Sequence, residues 1–328
     1  MLIVRLAPFL IMFLVSTVAI AASGDFSYVR AVPADVGIVI ADTRAADACR
    51  AKSLEGARCL PSADFIAPQS RLPDERNLLW LLGTAGLTGD EHVLVVGDDA
   101  VARDFVAGIL HVAGQRDVRV LTEPVSRLIA SGANAAPGRG RASIREAVYT
   151  APMRDGLVVL RRELVAMRPW PVVLDGRSDR EYRGESARAV RTGHLPGAIS
   201  LPAARLRAAL DPASARPLLP ESSGAAPIAY AHDAYEGLAY LTLLVAGHGV
   251  RARLYAEGWS AWATDGSLPA DAVGYRESAR DRAGTSAGIE PAIGTSDTRR
   301  LEIALVIGLA LTLAAFALGR RSGRRRHA

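Results

Sequence analysis

Cys49 and Cys59 are the only residues of this 328-residue chain that could supply a thiolate or a disulfide. A thiolate at a helix N-terminus attacks electrophilic sulfur or phosphorus, whereas two closely spaced cysteines in an oxidising compartment can instead bridge. Their spacing is compatible with a disulfide, with two buried free thiols and a redox or sulfur-relay pair as the alternatives. A second cluster follows the apolar run Ile228 to Tyr230: Ala231, His232, Asp233, Ala234, Tyr235, Glu236 and Gly237. Imidazole and carboxylates this close could hold a divalent ion, but loop tips are usually polar because water solvates them, so no metal is expected. The chain has no phosphate-binding glycine loop, zinc spacing or serine-hydrolase motif, and no cofactor is expected.

The elements that must position these residues are written twice. Asp42-Thr43-Arg44 follows Ile38-Val39-Ile40, and Asp175-Gly176-Arg177 follows Val172-Val173-Leu174. Gly56-Ala57 and Gly197-Ala198 come next, then the apolar runs Val93 to Val96 and Ile228 to Tyr230, and then helical patterns stopping at Gly114 and Gly247. Val118 to Leu121 and Ala252 to Tyr255 complete the units. Asp42 to Asp98 and Asp175 to Ala231 are both 56 positions, which pairs Asp98 with Ala231. Short apolar strands without polar alternation, separated by helices, predict two α/β domains with parallel sheets covered on both faces. Each unit is long enough for a core of its own. Residues 25–131 and 146–266 are the expected domains, and 132–145, rich in Gly, Ala and Pro, the linker between them.

The ends point to a membrane. Met1 to Arg5, the apolar Leu6 to Ile20 and Ala19-Ile20-Ala21 read as a secretory signal peptide over residues 1–22. Leu301 to Leu318 carries one charge, Glu302, and as a helix would span about 27 Å, enough for a bilayer core. Residues 301–319 are therefore expected to cross the membrane, after a flexible tether over 267–300. The basic tail, residues 320–328, would lie in the cytoplasm. Removing Arg5 and the five tail arginines from the 39 bases leaves 33 against 34 acids, so the body is near neutral despite the net charge of +5. With 5% aromatic residues, this argues against nucleic-acid binding. One Lys against 38 Arg suggests a GC-rich bacterial gene, and so an inner-membrane protein facing the periplasm.

From Asp175 onward the residues become specific: VVLDGRSDREY, RTGHLPGAISLP and GVRARLYAEGWSAW. This resembles the rhodanese domain, with residues 183–191 lengthening one loop. The first copy, IADTRAADACR and SLEGARCLP, resembles the degenerate N-terminal half of tandem rhodaneses. The resemblance implies two three-layer α/β domains. Asp175, Arg177, Glu181, His194 and Gly197 become structural motif residues, with an Arg177–Glu181 ion pair and His194 bonded to its turn. Trp259 and Trp262 are expected to pack the domain edge, and Trp80 to lie in the core.

Rhodanese chemistry needs a loop cysteine that becomes a persulfide in a cradle of backbone N–H groups. Here Ala231 stands at that position, with Asp98 at its counterpart, so no catalytic residue is expected. Asp233 and Glu236 would repel an anionic sulfur donor. The leading expectation is a binding or scaffold module with a periplasmic protein partner. The alternative is a sulfurtransferase, of thiosulfate or mercaptopyruvate type, working through Cys49, Cys59 or a partner's thiol.

Overall fold

The computed structural model describes residues 26–34, 36–67, 71–167, 169–210 and 225–272. The expected signal peptide, membrane helix and basic tail, and most of the tether, lie outside them. Among the described residues no helix is long and apolar enough to cross a membrane.

Two five-stranded parallel sheets account for the strands expected from the sequence. In chain order the first half contributes β1 (Phe26–Val29), β2 (Val39–Asp42), β3 (Ser53–Leu54), β4 (Arg58–Cys59), β5 (His92–Val96), β6 (Asp117–Leu121) and β7 (Ala135–Ala136). The second contributes β8 (Val158–Val159), β9 (Val173–Asp175), β10 (Ile199–Ser200), β11 (Ile228–Tyr230) and β12 (Arg253–Tyr255). The first sheet runs β1-β6-β5-β2-β4 and the second, in the same sense, β8-β12-β11-β9-β10. β3 and β7 form a small antiparallel pair outside the sheets. The register repeats as well: Asp42 lies beside Cys59 and Val96, and Asp175 beside Ser200 and Tyr230.

The helices between the strands are α1 (Ala46–Ala51), α2 (Glu75–Thr84), α3 (Ala100–Val112), α4 (Val125–Ala130), α5 (Arg161–Ala166), α6 (Asp179–Tyr182), α7 (Ala203–Ala208), α8 (Ala234–Thr242) and α9 (Gly258–Thr264). Asp74, Asp99, Ser178 and Asp233 cap α2, α3, α6 and α8 by accepting a backbone N–H in the first turn.

The halves do not have wholly separate cores. Strand alternation sends Val93 and Val95 to one face of the first sheet and Leu94 and Val96 to the other. The Val93 face belongs to a cluster that continues through Phe105, Val106 and Ile109 of α3 to Leu238 and Leu241 of α8, and on to Leu174, Ala229 and Leu254 of the second sheet. Smaller clusters cover each sheet's outer face. Burying one shared interior removes more apolar surface from water than two small domains could separately.

The helices α3 and α8 approach closely because Gly108 has no side chain. A Cβ there would stand 2.7 Å from the Leu238 carbonyl oxygen and 2.9 Å from Thr242 Oγ1. The Thr242 hydroxyl donates to the Asp104 carbonyl at 2.8 Å, and the buried Asp104 carboxylate pairs with Arg103 at 3.2 Å and Arg207 at 2.8 Å. One buried charge thus ties α3 to α7 of the other half.

Two boundaries differ from the sequence reading. The expected linker is a strap on the first half: β7 pairs with β3, Gly138 N–H donates to the Cys49 carbonyl at 2.9 Å, and Cys59 N–H donates to the Arg139 carbonyl at 2.8 Å. Alanine and glycine there leave room for backbone to lie against backbone, which composition alone reads as flexibility. The first residues of the expected tether are packed too, since Trp262 Nε1 donates to the Pro269 carbonyl at 2.8 Å and Asp271 exchanges backbone bonds with His194. Trp80 also departs from expectation. It is 47% exposed on α2, whereas Trp259 and Trp262 are fully buried.

Gly108→Val should lower stability by about 1–3 kcal/mol through overpacking of the α3–α8 contact. Urea unfolding of the variant against the native chain measures this.

Candidate functional site

Each sheet ends its second strand in the same buried turn. Asp175 is fully buried, and its carboxylate accepts from the Arg177 backbone N–H and Nε, both at 3.0 Å, and from Nη2 at 2.6 Å. Arg177 Nη2 also donates to the Gly193 carbonyl at 2.8 Å, and the guanidinium lies 4.8 Å from the Trp259 ring. Tyr230, at the end of β11, donates its hydroxyl to Asp175 at 2.5 Å and accepts the Leu195 N–H at 3.2 Å. One carboxylate therefore fixes β9, β11, the Gly193–Leu195 turn and α9 together. Burial disfavours the Arg177 charge, but the bonds and charge of Asp175 outweigh it and hold the guanidinium protonated. Burial, then the Asp175 charge, pushes the Tyr230 phenol well above its ordinary value.

Asp42 and Arg44 repeat this turn in the first half. Arg44 Nη2 lies 2.7 Å from Asp42 and 2.6 Å from the Lys52 carbonyl, while the Ser53 hydroxyl donates to Asp42 at 2.6 Å.

The expected Arg177–Glu181 pair is not formed, because Arg177 is committed to Asp175. Glu181 instead accepts from the Ser178 hydroxyl at 2.8 Å and from Arg188 Nε at 2.8 Å. Burial would raise the Glu181 pKa; the Arg188 and Ser178 bonds outweigh it and leave it lowered. His194 Nδ1 lies 2.7 Å from the Tyr182 carbonyl with its ring stacked 3.8 Å from Tyr182, so its contacts are structural. Burial lowers its pKa, against the opposing Tyr182 bond. Gly197 takes φ +69°, a left-handed conformation that favours glycine, and its N–H donates to Asp271 at 3.2 Å.

The loop from Ala231 to Gly237 leaves β11 and enters α8. The Ala231 and His232 carbonyls accept from the Trp259 and Ser260 N–H groups at 2.9 and 2.8 Å. Gly258, at φ +65°, allows this approach; a Cβ there would lie 2.7 Å from the His232 oxygen. Ala231 is buried and presents only a methyl group. Asp233 Oδ1 accepts the Glu236 N–H at 3.0 Å, and the Tyr235 ring packs 4.5 Å from Phe105 of the first half. Burial, then the Arg188 charge, lowers the His232 pKa and favours the neutral imidazole. Ala234 and Gly237 are buried in the first turns of α8, and a Cβ on Gly237 would meet Leu254 Cδ1 at 3.2 Å.

Arg188, from the inserted 183–191 segment, alters the expected charge of this loop. Its Nη1 and Nη2 donate to Glu236 at 2.6 and 2.9 Å while Nε holds Glu181. Glu236 is thus paired, and the anticipated repulsion of anions falls mainly to Asp233. The His232, Asp233 and Glu236 side chains do not converge on one point, and no group of three or more metal-ligating side chains is present among the described residues.

The first half corrects the expected equivalence of Asp98 with Ala231. Gly176 N–H donates to the Tyr230 carbonyl and Thr43 N–H to the Val96 carbonyl, both at 2.9 Å, which makes Gly97 the counterpart of Ala231. The Gly97 carbonyl accepts from Val125 N–H as that of Ala231 accepts from Trp259. The first half is one residue shorter between these points, so equal sequence counts mispaired them. A Cβ on Gly97 would lie 2.3 Å from Thr43 Oγ1, so a side chain there would have to displace the hydroxyl that donates to the Val96 carbonyl at 3.1 Å. Asp98 turns aside and accepts the Ser126 N–H at 2.8 Å.

The two cysteines form one disulfide, with Cα atoms 5.8 Å apart. Both are buried, and Gly138 lies against them so closely that a Cβ would meet their sulfurs at 2.5 and 2.9 Å. They sit on α1 and β4, in the half opposite the Ala231 loop.

The rhodanese-like domain family matches residues 161–265. A search of curated proteins finds no match. Among solved structures, a probable thiosulfate sulfurtransferase is 26% identical, with a TM-score of 0.54, and the match covers 74% of this chain and 99% of that one. Wild-type EanB is 18% identical, with a TM-score of 0.56 over 77% of this chain and 65% of its own. An EanB variant in complex with ergothioneine is 19% identical, with a TM-score of 0.58, covering 77% of this chain and 66% of that one. The chain thus spans a little under two thirds of EanB's length. It carries a rhodanese-like domain over residues 161–265 and has a probable thiosulfate sulfurtransferase among its structural neighbours.

Sequence reasoning missed Arg188, Tyr230 and Gly258. An insertion rich in arginine beside a loop rich in acids was the available signal for the first; Tyr230 acts through its hydroxyl on the distant Asp175 and Gly258 through a close backbone approach, and no spacing reveals either.

Arg177→Gln should cost about 3–5 kcal/mol, because it strands the buried Asp175 charge; chemical denaturation checks this. The lowered Glu181 pKa means its stabilisation is complete above the unfolded carboxylate range and is lost as pH falls through the folded value. The stability gap between the native chain and Arg188→Ala should therefore be full at neutral pH and close below about pH 4, as read by thermal melts across pH.

Proposed function

We propose that this chain is a tandem rhodanese-like protein whose second cradle binds a ligand or partner without carrying sulfur on its own side chains. The carrying observation is the Ala231 loop. Its strand-to-helix turn, backbone anchoring and capped helix are present, and a methyl group stands where a relay needs sulfur. No other natural side chain passes through a persulfide, so the relay cannot begin there. A first half with the same strand order and the same Asp-x-Arg turn supports reading it as a degenerate copy. The Cys49–Cys59 bridge fits an oxidising compartment, in keeping with a periplasmic body anchored to a bacterial inner membrane by residues 301–319.

The second reading is a sulfurtransferase, favoured by the likeness to a probable thiosulfate sulfurtransferase. Transfer through Cys49 or Cys59 would first require the bridge to be reduced and the strap at Gly138 to be lifted. A thiol donated by a partner protein needs neither step.

Purified full-length protein given thiosulfate or mercaptopyruvate and a thiol acceptor should transfer sulfur no faster than its Cys49→Ser/Cys59→Ser variant. Faster transfer by the native chain would establish the second reading.

A further inference from the structure

A cleft of about 590 Å³ opens beside the Ala231 loop and is walled by both halves of the chain. The first half contributes Arg71 and Leu72; the second contributes Asp233 and Ala234 at the start of α8, then Glu257 and Ser260 on the approach to α9 and within it. Its charges fall into two classes. Arg161 and Glu257 stand 3.9 Å apart as a solvent-exposed ion pair. Arg71 and Asp233 do not: neither has an ion-pair partner among the described residues, and the only side-chain bond of Asp233 is the one that caps α8. One cation and one anion without an ion-pair partner among the described residues therefore face a single cleft from different halves of the chain.

We propose that this cleft binds a small zwitterion of the amino-acid class, its carboxylate on Arg71 and its ammonium on Asp233. A simple anion would satisfy Arg71 and meet the Asp233 carboxylate; a simple amine would satisfy Asp233 and meet the Arg71 guanidinium. Only a ligand carrying both charges leaves neither wall unpaired, and a partly enclosed site strengthens both pairings relative to water. Small side chains at Ala234, Ala256 and Ala261 leave room for its body, and the Ser260 hydroxyl lines the same wall. The inference rests on the second cradle being a binding site, and names the class of ligand for it.

The test is calorimetric titration of the full-length protein with glycine, 4-aminobutyrate and 6-aminohexanoate, whose charges are progressively farther apart. Butyrate and butylamine are the singly charged controls. At least one zwitterion should saturate with a Kd below about 10 mM and bind at least about tenfold more tightly than either control. Arg71→Gln and Asp233→Asn should each weaken it by about tenfold. Asparagine preserves the helix cap, so the Asp233 variant reads charge and not folding. The proposal is overturned if no zwitterion saturates, if either control binds equally well, or if either variant binds like the native chain. A sulfur-transfer assay on the same preparation separates the two failures: transfer without a bound zwitterion removes the binding-module reading, whereas neither transfer nor binding removes only the ligand class.

Discussion

The buried carboxylate at the end of each sheet's second strand is the interaction on which the surrounding architecture depends. Asp175 has no exposure, so its charge is tolerable only because Arg177, Tyr230 and the Arg177 backbone N–H supply donors at hydrogen-bond distance. Those donors come from separate segments, and satisfying one anion forces β9, β11 and the following turns into register. Arg177 in turn faces the Trp259 ring, so the same network aligns α9, whose first N–H groups hold the Ala231 loop. The first half solves the problem with Asp42, Arg44 and Ser53. A neutral residue at Asp175 or Asp42 would remove the organising charge along with its cost.

The two halves share this turn but differ at the paired positions Gly97 and Ala231. At Gly97 the backbone is retained while the space is filled by the Thr43 hydroxyl. At Ala231 the space holds a methyl group, and the nearby acid Glu236 is neutralised by a guanidinium from an inserted loop. The anchoring of the second loop, by two backbone bonds and a glycine at positive φ, is intact. The loop scaffold is therefore complete at Ala231, and the side chain it presents there is a methyl group.

The strands and their parallel arrangement were legible because two-sided burial writes short unbroken apolar runs, and Val93–Val96 and Ile228–Tyr230 are such runs. The repeat was legible through its Asp-x-Arg turns. What sequence could not convey was contact between distant segments. Composition made 132–145 a linker, yet Gly138 is small because it packs against two sulfurs. Equal spacing paired Asp98 with Ala231, but hydrogen-bond register assigns Gly97, since one residue is missing from the first copy. The family resemblance implied an Arg177–Glu181 pair, whereas the nearer Asp175 takes the guanidinium and Arg188 takes the acid. The shared interior of α3 and α8 likewise depends on Gly108, whose reason for being glycine lies 130 residues away at Leu238.

The central claim is that the second cradle is built and lacks only its nucleophile. Intact-protein mass spectrometry after exposure to thiosulfate tests it directly, comparing the native chain with Ala231→Cys. The account predicts no added sulfur on the native chain and the mass of one sulfur atom gained at the new cysteine; sulfur acquired by the native chain, or none by the variant, would contradict it.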